Sequence, residues 1–172
     1  KIKTSLPFLI EKGINKIYVD LLKVDFEEKE PKPVIIGITG TNGKTSTALL
    51  LAQSLRYQNK KVGVISSEGA GVYPNLSENE YTTPPLDINY KYLRSFCKKK
   101  CDYVIIECSS QGLHQGRLDG IHFTYSIITN IDQDHIEYHK SQKNYINSKL
   151  KILNQSRASI INFDSKNLKN ID

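Results

Sequence analysis

A glycine-rich segment, GITGTNGKTST at residues 37–47, follows a short apolar run. In the common phosphate-loop pattern G-x-x-x-x-G-K-[ST], the first glycine would fall at Ile38, and here glycines flank that position instead. A strand, a glycine-rich turn, Lys-Thr and a helix still direct backbone N–H groups and a helix N-terminus toward phosphate oxygens. The segment therefore predicts a nucleotide-phosphate loop, in which Lys44 reaches the β- and γ-phosphates and Thr45 offers its hydroxyl to Mg²⁺. The alternative is a glycine-rich turn without a ligand.

A second cluster, VIIECSSQGLHQGRLDG, spans residues 104–120. Glu107 ends an apolar run, and a carboxylate beside a triphosphate would hold magnesium directly or through water. Gln115 and Arg117 follow on a predicted loop, and the arginine suits a bidentate grip on a carboxylate or phosphate. Taken singly, Glu107 could instead cap the next turn, and the other two could be ordinary surface residues.

The third cluster, TNIDQDHIEYH at residues 129–139, concentrates carboxylates and imidazoles within a short span. Its ionisable members are Asp132, Asp134, His135, Glu137 and His139. Carboxylate plus imidazole beside a phosphate loop suggests a metal shell or a proton carrier, whereas in isolation the segment could be a polar turn.

Alternating apolar runs and helix-period segments organise the chain from Val34 onward. The pattern predicts strands at 34–39, 62–66, 103–108, 125–129 and 158–163, and helices at 45–58, 88–99 and 144–153. Strands interleaved with helices indicate an α/β fold with an open, mostly parallel sheet flanked by helices. Such a sheet binds ligands beyond the carboxyl ends of its strands, where the three clusters fall.

Two regions are expected. Residues 1–33 form a short leader and linker, with one helix around 6–12 and an apolar stretch at 17–19. Residues 34–172 form the ligand-binding domain.

Bulk composition favours a globular chain without a membrane or nucleic-acid role. The 172 residues are 38% hydrophobic and 24% charged, and no apolar run approaches the roughly 20 residues of a membrane span. The net charge of +6 comes from scattered lysines, without the stacking aromatics of a nucleic-acid site. Cys97, Cys101 and Cys108 lack zinc-ligand spacing and are expected to be reduced structural thiols.

Together the three clusters resemble the central ATP-binding domain of the Mur ligase family, whose own phosphate loop is T-G-T-N-G-K-T. The match is closer to the MurE class, which shows E-x-S-S-x-G-L-x-Q-x-R, then T-N-x-x-x-D-H-x-[DE]-Y-H, then Y-x-x-x-K. All three stand here, at 107–117, 129–139 and 145–149. The resemblance implies a fold like that of the phosphate-loop nucleoside triphosphatases (P-loop NTPases) and covers about residues 34–165.

The resemblance also implies residue roles. Lys44, His135 and Lys149 would be catalytic, and the ATP phosphates would lie on Gly40, Thr41, Asn42, Gly43, Lys44, Thr45 and Ser46. Mg²⁺ would be held by Thr45, Glu107, His135 and Lys149, the last as a carbamate. The UDP-muramoyl dipeptide would contact Thr82, Thr83, Ser109, Gln115 and Arg117.

Some positions depart from the class pattern. Gln111 replaces a common histidine, Tyr81 a common asparagine and Glu137 the usual aspartate, and the stretch SEGAGVYPN at 67–75 is less regular. We expect that the central domain is incomplete at its C-terminal end, because the family's sheet continues beyond the last predicted strand. We also expect that the chain is inactive alone, because family members carry flanking N- and C-terminal domains.

The resemblance implies a cytoplasmic, monomeric ATP-dependent ligase. It would add the third amino acid, a diamino acid, to UDP-N-acetylmuramoyl-L-alanyl-D-glutamate through an acyl phosphate, in peptidoglycan precursor synthesis. The alternatives are another Mur ligase, a folylpolyglutamate synthetase, or a truncated ATP-binding module without ligase activity.

Overall fold

The structure, a computed structural model, describes residues 16–23, 32–165 and 168. Residues 16–23 are helical and form α1, which contains the apolar stretch noted at 17–19. The helix predicted around 6–12 lies outside the described residues. Within the described part, no helix has the length and apolar character that crossing a membrane would require.

A seven-stranded sheet forms the centre of the fold, in the order β4-β3-β2-β5-β1-β6-β7. Its strands are β1 (Val34–Thr39), β2 (Val62–Ser66), β3 (Gly69–Val72), β4 (Asn75–Ser77), β5 (Tyr103–Glu107), β6 (Phe123–Ile128) and β7 (Ser156–Ile161). Strands β2, β5, β1, β6 and β7 pair in parallel, and β3 and β4 add an antiparallel hairpin at one edge. The predicted open, mostly parallel α/β sheet is confirmed.

Six further helical segments connect these strands. They are α2 (Lys44–Tyr57), α3 (Leu86–Lys98), α4 (Ser110–His114), α5 (Ile136–His139), α6 (Gln142–Leu150) and a 3-10 helix (Lys151–Gln155). All five predicted strands and all three predicted helices are present; β1 and β2 have the predicted bounds, and the ends of the others are shifted by up to three residues. The largest shift is the end of α6 at Leu150, because the chain tightens there into the 3-10 helix.

The hairpin of β3 and β4 was not predicted. Its strands have four and three residues, and β3 has the sequence GAGV, which lacks the apolar alternation of a strand. The glycines are required by close packing: a Cβ on Gly71 would lie 2.4 Å from the carbonyl oxygen of Asn75. The stretch that departs from the class pattern is thus the edge of the sheet.

Two apolar layers cover the faces of the sheet. On one face, Ala48 and Ala52 of α2 pack against Ile36, Ile38 and neighbouring strand residues. On the other, α3 and α6 contribute a larger cluster that includes Tyr90, Phe96 and Tyr145. Because both faces are buried, β1, β2 and β5 are nearly continuous apolar runs, as the sequence shows.

This topology gathers the three sequence clusters at one edge. Strand β1 lies between β5 and β6, so the chain segments that follow these three strands start side by side. The glycine-rich cluster continues from the end of β1, the second cluster continues from Glu107 at the end of β5, and the third cluster begins at Thr129 after β6. The carboxyl edge of the sheet is therefore the place to look for a ligand. The three cysteines are buried and form no disulfide. Cys108 directly follows β5 at this edge, whereas Cys97 and Cys101 lie at the end of α3 and just after it.

Replacing Gly63 by alanine tests how tightly α3 packs on the sheet. A Cβ at this position would lie 2.7 to 2.8 Å from ring carbons of Phe96, which is 1% exposed. Overpacking of this kind costs about 1–3 kcal/mol, so Gly63→Ala should lower the free energy of unfolding by that amount in a urea titration. Gln53→Ala, on the exposed side of α2, should change it by less than about 0.5 kcal/mol. Equal stability of the two variants would contradict the packing.

Candidate functional site: a phosphate loop at the carboxyl edge of the sheet

The glycine-rich loop begins at Gly40, where the chain leaves β1 in a conformation that favours glycine. Its φ is 151°, and a Cβ there would lie 1.9 Å from the hydroxyl oxygen of Thr129. Gly43 has φ 80° and forms the N-cap of α2. The unusual spacing of the loop therefore has a structural reason: Gly40 is needed because β6 ends directly against it.

The segment after β6 fixes the loop through its backbone. Asn130 accepts the N–H of Thr41 at its carbonyl (2.9 Å) and the N–H of Asn42 at its Oδ1 (3.0 Å). The Asn42 carbonyl in turn accepts from the Asn130 Nδ2 (3.0 Å) and from the Thr129 hydroxyl (2.7 Å). Thr129 and Asn130 were not predicted as site residues. Their position directly after a predicted strand, at the start of the third cluster, was the available signal.

The N-terminus of α2 is open toward solvent. This 14-residue helix has no side-chain cap at its N-terminus and no acidic residue in its first turn, and Ser46 in that turn is exposed. The first N–H groups of a helix have no intrahelical acceptor and carry a partial positive charge. Lys44 folds back over the loop, and its Nζ donates to the carbonyls of Gly40 (3.0 Å) and Thr41 (2.9 Å). Such an arrangement can accept an anion.

Glu107 lies at the end of β5 and faces the start of α2. The residue is 2% exposed, and its two carboxylate oxygens accept from the Thr45 hydroxyl at 3.1 and 3.0 Å. Ser67, which follows β2, donates its backbone N–H (3.1 Å) and its hydroxyl (3.3 Å) to the Oε2 atom. The described partners of this buried carboxylate are thus neutral, and its negative charge is available to a cation. Ser67 was not predicted as a site residue.

Lys149 is buried under the same loop. By its helical position alone it would be taken for a surface lysine, but it is 2% exposed, and its Nζ donates to the Gly40 carbonyl. The ammonium group lies 4.8 Å from the ring centroid of Tyr145, whose hydroxyl is 2.8 Å from the Thr41 hydroxyl. Burial, and secondly the positive charge of Lys44, lower the pKa of Lys149 from 10.5 to about 7.

His135 lies on the exposed side of this group, with its ring centroid 6.3 Å from that of Tyr145. It adopts a left-handed conformation (φ 49°) before α5, its side chain is 51% exposed, and its Nε2 is 3.4 Å from the Asp134 carboxylate. Within the part of the chain that the structure describes, no three His, Cys, Asp or Glu residues cluster closely enough to hold a metal ion. Of the predicted metal ligands, Thr45 and Glu107 are hydrogen-bonded to each other. The predicted metal role of His135 stays a prediction.

His139 bridges two helices in the interior. Its Nε2 is 3.0 Å from the Ser110 hydroxyl of α4, and its Nδ1 is 3.3 Å from the Ser148 hydroxyl of α6. Because Ser148 donates its own proton to the Asn144 carbonyl (2.7 Å), the Nδ1 atom must carry the proton and Nε2 must accept. Burial and nearby His114 lower the pKa of His139, in keeping with this neutral form. The bridge fixes α6, which carries Lys149, against α4.

Two of the predicted substrate residues are built into the framework. The Thr83 hydroxyl donates to the Glu107 carbonyl (2.8 Å) and accepts from the Ser109 N–H (2.9 Å), and Thr83 is 1% exposed. Ser109 caps α4 by accepting from the Gly112 N–H at 3.0 Å. Thr82 is half-buried beside them. The Thr83 hydroxyl thus connects the end of β5 to the start of α4, and in this conformation its proton is not available to a ligand.

Gln115 and Arg117 lie on the surface of the predicted loop. Arg117 donates from Nε to the Gln115 Oε1 (2.8 Å) and from Nη1 to the Thr83 carbonyl (2.8 Å). The Gln115 Nε2 donates to the Tyr138 hydroxyl at 2.8 Å. The structure thus brings these two predicted residues together and connects them to Thr83.

The low pKa of Lys149 predicts a pH-dependent stability. Between about pH 7 and 10.5 the unfolded chain binds the Lys149 proton that the folded chain has lost, so the contribution of Lys149 to the free energy of unfolding should rise with pH in this window. In urea titrations in CO₂-free, metal-free buffer, the free energy of unfolding of wild type minus that of Lys149→Met should rise by up to about 1.4 kcal/mol per pH unit. Lys151→Met, at an exposed position, should follow wild type. Parallel curves for wild type and Lys149→Met would contradict the burial of a titrating amine.

Comparison with known proteins places the chain in a family. Residues 38–172 match the Mur ligase middle domain. A relative from Wigglesworthia glossinidia brevipalpis, UDP-N-acetylmuramoyl-L-alanyl-D-glutamate--2,6-diaminopimelate ligase, is 39% identical over 132 residues, which are 76% of this chain and 27% of the relative. A solved structure of a ligase of the same name superimposes with a TM-score of 0.73 at 31% identity, covering 80% of this chain and 28% of the other.

A more distant structure, that of E. coli FolC in complex with DHPP and ADP, has a TM-score of 0.60 at 21% identity over 78% of this chain and 38% of the other. At that identity the likeness shows the fold alone. The chain spans little more than a quarter of the length of the two ligases that it matches. The match over residues 38–172, together with the loop and its surroundings, shows that this chain belongs to the Mur ligase middle domain family.

Proposed function

We propose that this chain is the ATP-binding centre of a ligase that joins a diamino acid to UDP-N-acetylmuramoyl-L-alanyl-D-glutamate. The relatives' names give the amino acid as 2,6-diaminopimelate. The observation that carries the proposal is the convergence of Lys44, the Thr45–Glu107 pair and buried Lys149 on one open helix N-terminus. As a domain assignment, residues 34–172 form this centre and 1–33 precede it as leader and linker.

Residues Gly40 to Ser46 would hold the nucleotide phosphates. The uncapped start of α2 supplies N–H groups and a positive dipole, which is how helix N-termini bind phosphate. Lys44 would leave the two carbonyls that it now contacts and reach the β- and γ-phosphates. The loop backbone is already fixed by Asn130, so little ordering is needed on binding.

The oxygen ligands at the end of β5 fit Mg²⁺. This ion prefers carboxylate and hydroxyl oxygens, few protein ligands and the phosphates of its substrate, which suits the Thr45–Glu107 pair. We propose that His135 and carbamylated Lys149 complete the set, which would require His135 to turn inward from its exposed position. The metal would supply charge neutralisation on the transferring phosphoryl group.

Lys149 has the properties that carbamylation needs. A carbamate forms when a neutral amine adds CO₂ and loses a proton, and a pKa of about 7 leaves a large part of the Lys149 amine neutral near that pH. The product is an anion, which would relieve the repulsion between the Lys149 and Lys44 ammonium groups. It would also turn a cation into an oxygen ligand.

The chain's own residues would act by alignment and by charge. Thr82, Ser109, Gln115 and Arg117 would hold the dipeptide so that the D-glutamyl carboxylate faces the γ-phosphate, with Thr83 fixing their backbone. Lys44 and the loop N–H groups would stabilise the charge that develops as the carboxylate oxygen bonds to phosphorus and ADP leaves. The amine of the incoming amino acid then attacks the acyl phosphate carbon and expels phosphate.

Two alternatives remain for experiment. A folylpolyglutamate synthetase would share the fold, which FolC shows, but the relatives at 39% identity carry the muramoyl ligase name. A module that binds ATP without ligation would keep the loop and lack turnover. We expect a cytoplasmic monomer in either case.

Turnover in the full-length protein that carries this chain tests the proposal. With UDP-N-acetylmuramoyl-L-alanyl-D-glutamate, ATP and 2,6-diaminopimelate, we expect phosphate release matched by tripeptide product. Lys44→Ala should remove turnover, by at least about a hundredfold in kcat, because it deletes the cation that faces the transferred phosphate. Lys60→Ala, at an exposed position after α2, should leave kcat unchanged.

Three results would count against the proposal. Retained activity in Lys44→Ala would exclude the loop as the phosphoryl-transfer site. Turnover with a folate substrate and glutamate, but not with the muramoyl dipeptide, would favour the synthetase. ATP binding with no turnover on either substrate would favour the module.

A further inference from the structure

A cavity of about 500 Å³ opens beside Arg117, and its lining residues do not include those of the glycine-rich loop. Its lining includes Tyr18 of α1, Tyr81, Pro85, Gln115, Arg117 and Asp119. Two aromatic rings, one guanidinium and one carboxylate thus surround a space large enough for part of a small molecule. Because Asp119 also lines the cavity, an anionic group of a ligand is favoured at Arg117 and disfavoured elsewhere in it.

Arg117 keeps binding capacity after its protein contacts are counted. A guanidinium has five N–H donors, and Arg117 uses its Nε–H on Gln115 and one Nη1–H on the Thr83 carbonyl. Both N–H groups of Nη2 and one of Nη1 are left for a ligand. Two such groups can grip a carboxylate in bidentate fashion, provided that the guanidinium plane is held in a fixed orientation.

Tyr81 supplies a face against which that plane can rest. The guanidinium carbon of Arg117 is 5.4 Å from the centroid of the Tyr81 ring. The Tyr81 backbone is held by Asn79, whose Nδ2 donates to the Tyr81 carbonyl at 2.7 Å. Tyr81 is 43% exposed, so one part of its surface contacts Arg117 and the rest can contact solvent or a ligand.

We propose that Tyr81 is a positioning residue, whose ring holds the Arg117 guanidinium so that its free N–H edge meets a carboxylate of the acid substrate in this cavity. The inference rests on the proposed function for the identity of that substrate. It also gives a role to the position at which this sequence carries tyrosine in place of the asparagine common in the MurE class. The contact uses the ring face and not the hydroxyl, so phenylalanine should serve and an aliphatic residue should not.

The contact itself can be tested without a ligand. Protons held over an aromatic ring are shifted upfield, so the ¹H resonance of the Arg117 Nε–H should move downfield in Tyr81→Leu and stay in place in Tyr81→Phe. A resonance that is the same in wild type and both variants would overturn the positioning role. Loss of the fold is excluded if the other amide resonances coincide.

Binding of the substrate tests the consequence. With UDP-N-acetylmuramoyl-L-alanyl-D-glutamate as the probe in calorimetric titration, Tyr81→Leu should weaken binding by about two- to fivefold, the range of an exposed cation–π contact. Tyr81→Phe should bind as wild type does, and affinity for an ATP analogue should be unchanged in both. Arg117→Ala should weaken binding of the probe more than Tyr81→Leu does.

The outcomes separate this inference from the proposed function. If wild type binds the probe and Arg117→Ala does not, but Tyr81→Leu binds as wild type does, the role of Tyr81 is wrong and the function stands. If wild type does not bind the probe at all, both the proposed function and the proposed binding of a substrate carboxylate at Arg117 are wrong. The shift of the Nε–H resonance alone then decides whether Tyr81 orients Arg117.

Discussion

The close approach of Gly40 to the end of β6 is the constraint on which the site depends. With a Cβ position only 1.9 Å from the Thr129 hydroxyl, the loop can pass here only as glycine. That approach brings the loop backbone within reach of Asn130, which satisfies the N–H groups of Thr41 and Asn42. The open start of α2 is then presented in one fixed position at the carboxyl edge of the sheet, between the ends of β5 and β6.

Charge is distributed around this loop in a way that favours a polyanion with its cation. Lys44 and Lys149 both donate to the Gly40 carbonyl, and their mutual repulsion adds to burial in lowering the pKa of Lys149 to about 7. On the other side, buried Glu107 has hydroxyls and an N–H as its described partners. A triphosphate would satisfy Lys44 and the helix N-terminus, and a divalent cation would satisfy Glu107, so the two ligands are complementary to the same small region.

The sequence predicted the framework well and the contacts within it less well. Apolar runs such as Val34–Thr39 and Tyr103–Glu107 are long and buried on both faces, so hydrophobic pattern alone located them. The hairpin at Gly69–Ser77 was missed because its glycines are required by close backbone packing and give no periodic hydrophobic pattern. Burial of Lys149 could not be read from α6, because that short helix has no clear apolar stripe and its surroundings come from distant segments.

Residue type and spacing singled out Lys44, Thr45 and Glu107, and the structure brings them to one edge because Lys44 and Thr45 follow β1 and Glu107 ends β5. Ser67 and Asn130 were given no role, and His139 was singled out for a metal shell or a proton carrier, because hydrogen bonds between separate segments leave no signal in the sequence. The Thr83 hydroxyl shows the reverse case: the residue was singled out for a ligand, but its hydroxyl donates its proton to the Glu107 carbonyl and accepts from the Ser109 N–H.

The most direct measurement of the central claim is a crystal structure of this chain with Mg²⁺ and a non-hydrolysable ATP analogue. The account predicts the β- and γ-phosphates on the N–H groups from Gly40 to Thr45, with Lys44 turned onto them. The cation should lie between the phosphates, the Thr45 hydroxyl and Glu107. A nucleotide bound elsewhere, or a cation that leaves the Thr45–Glu107 hydrogen bond intact, would contradict it.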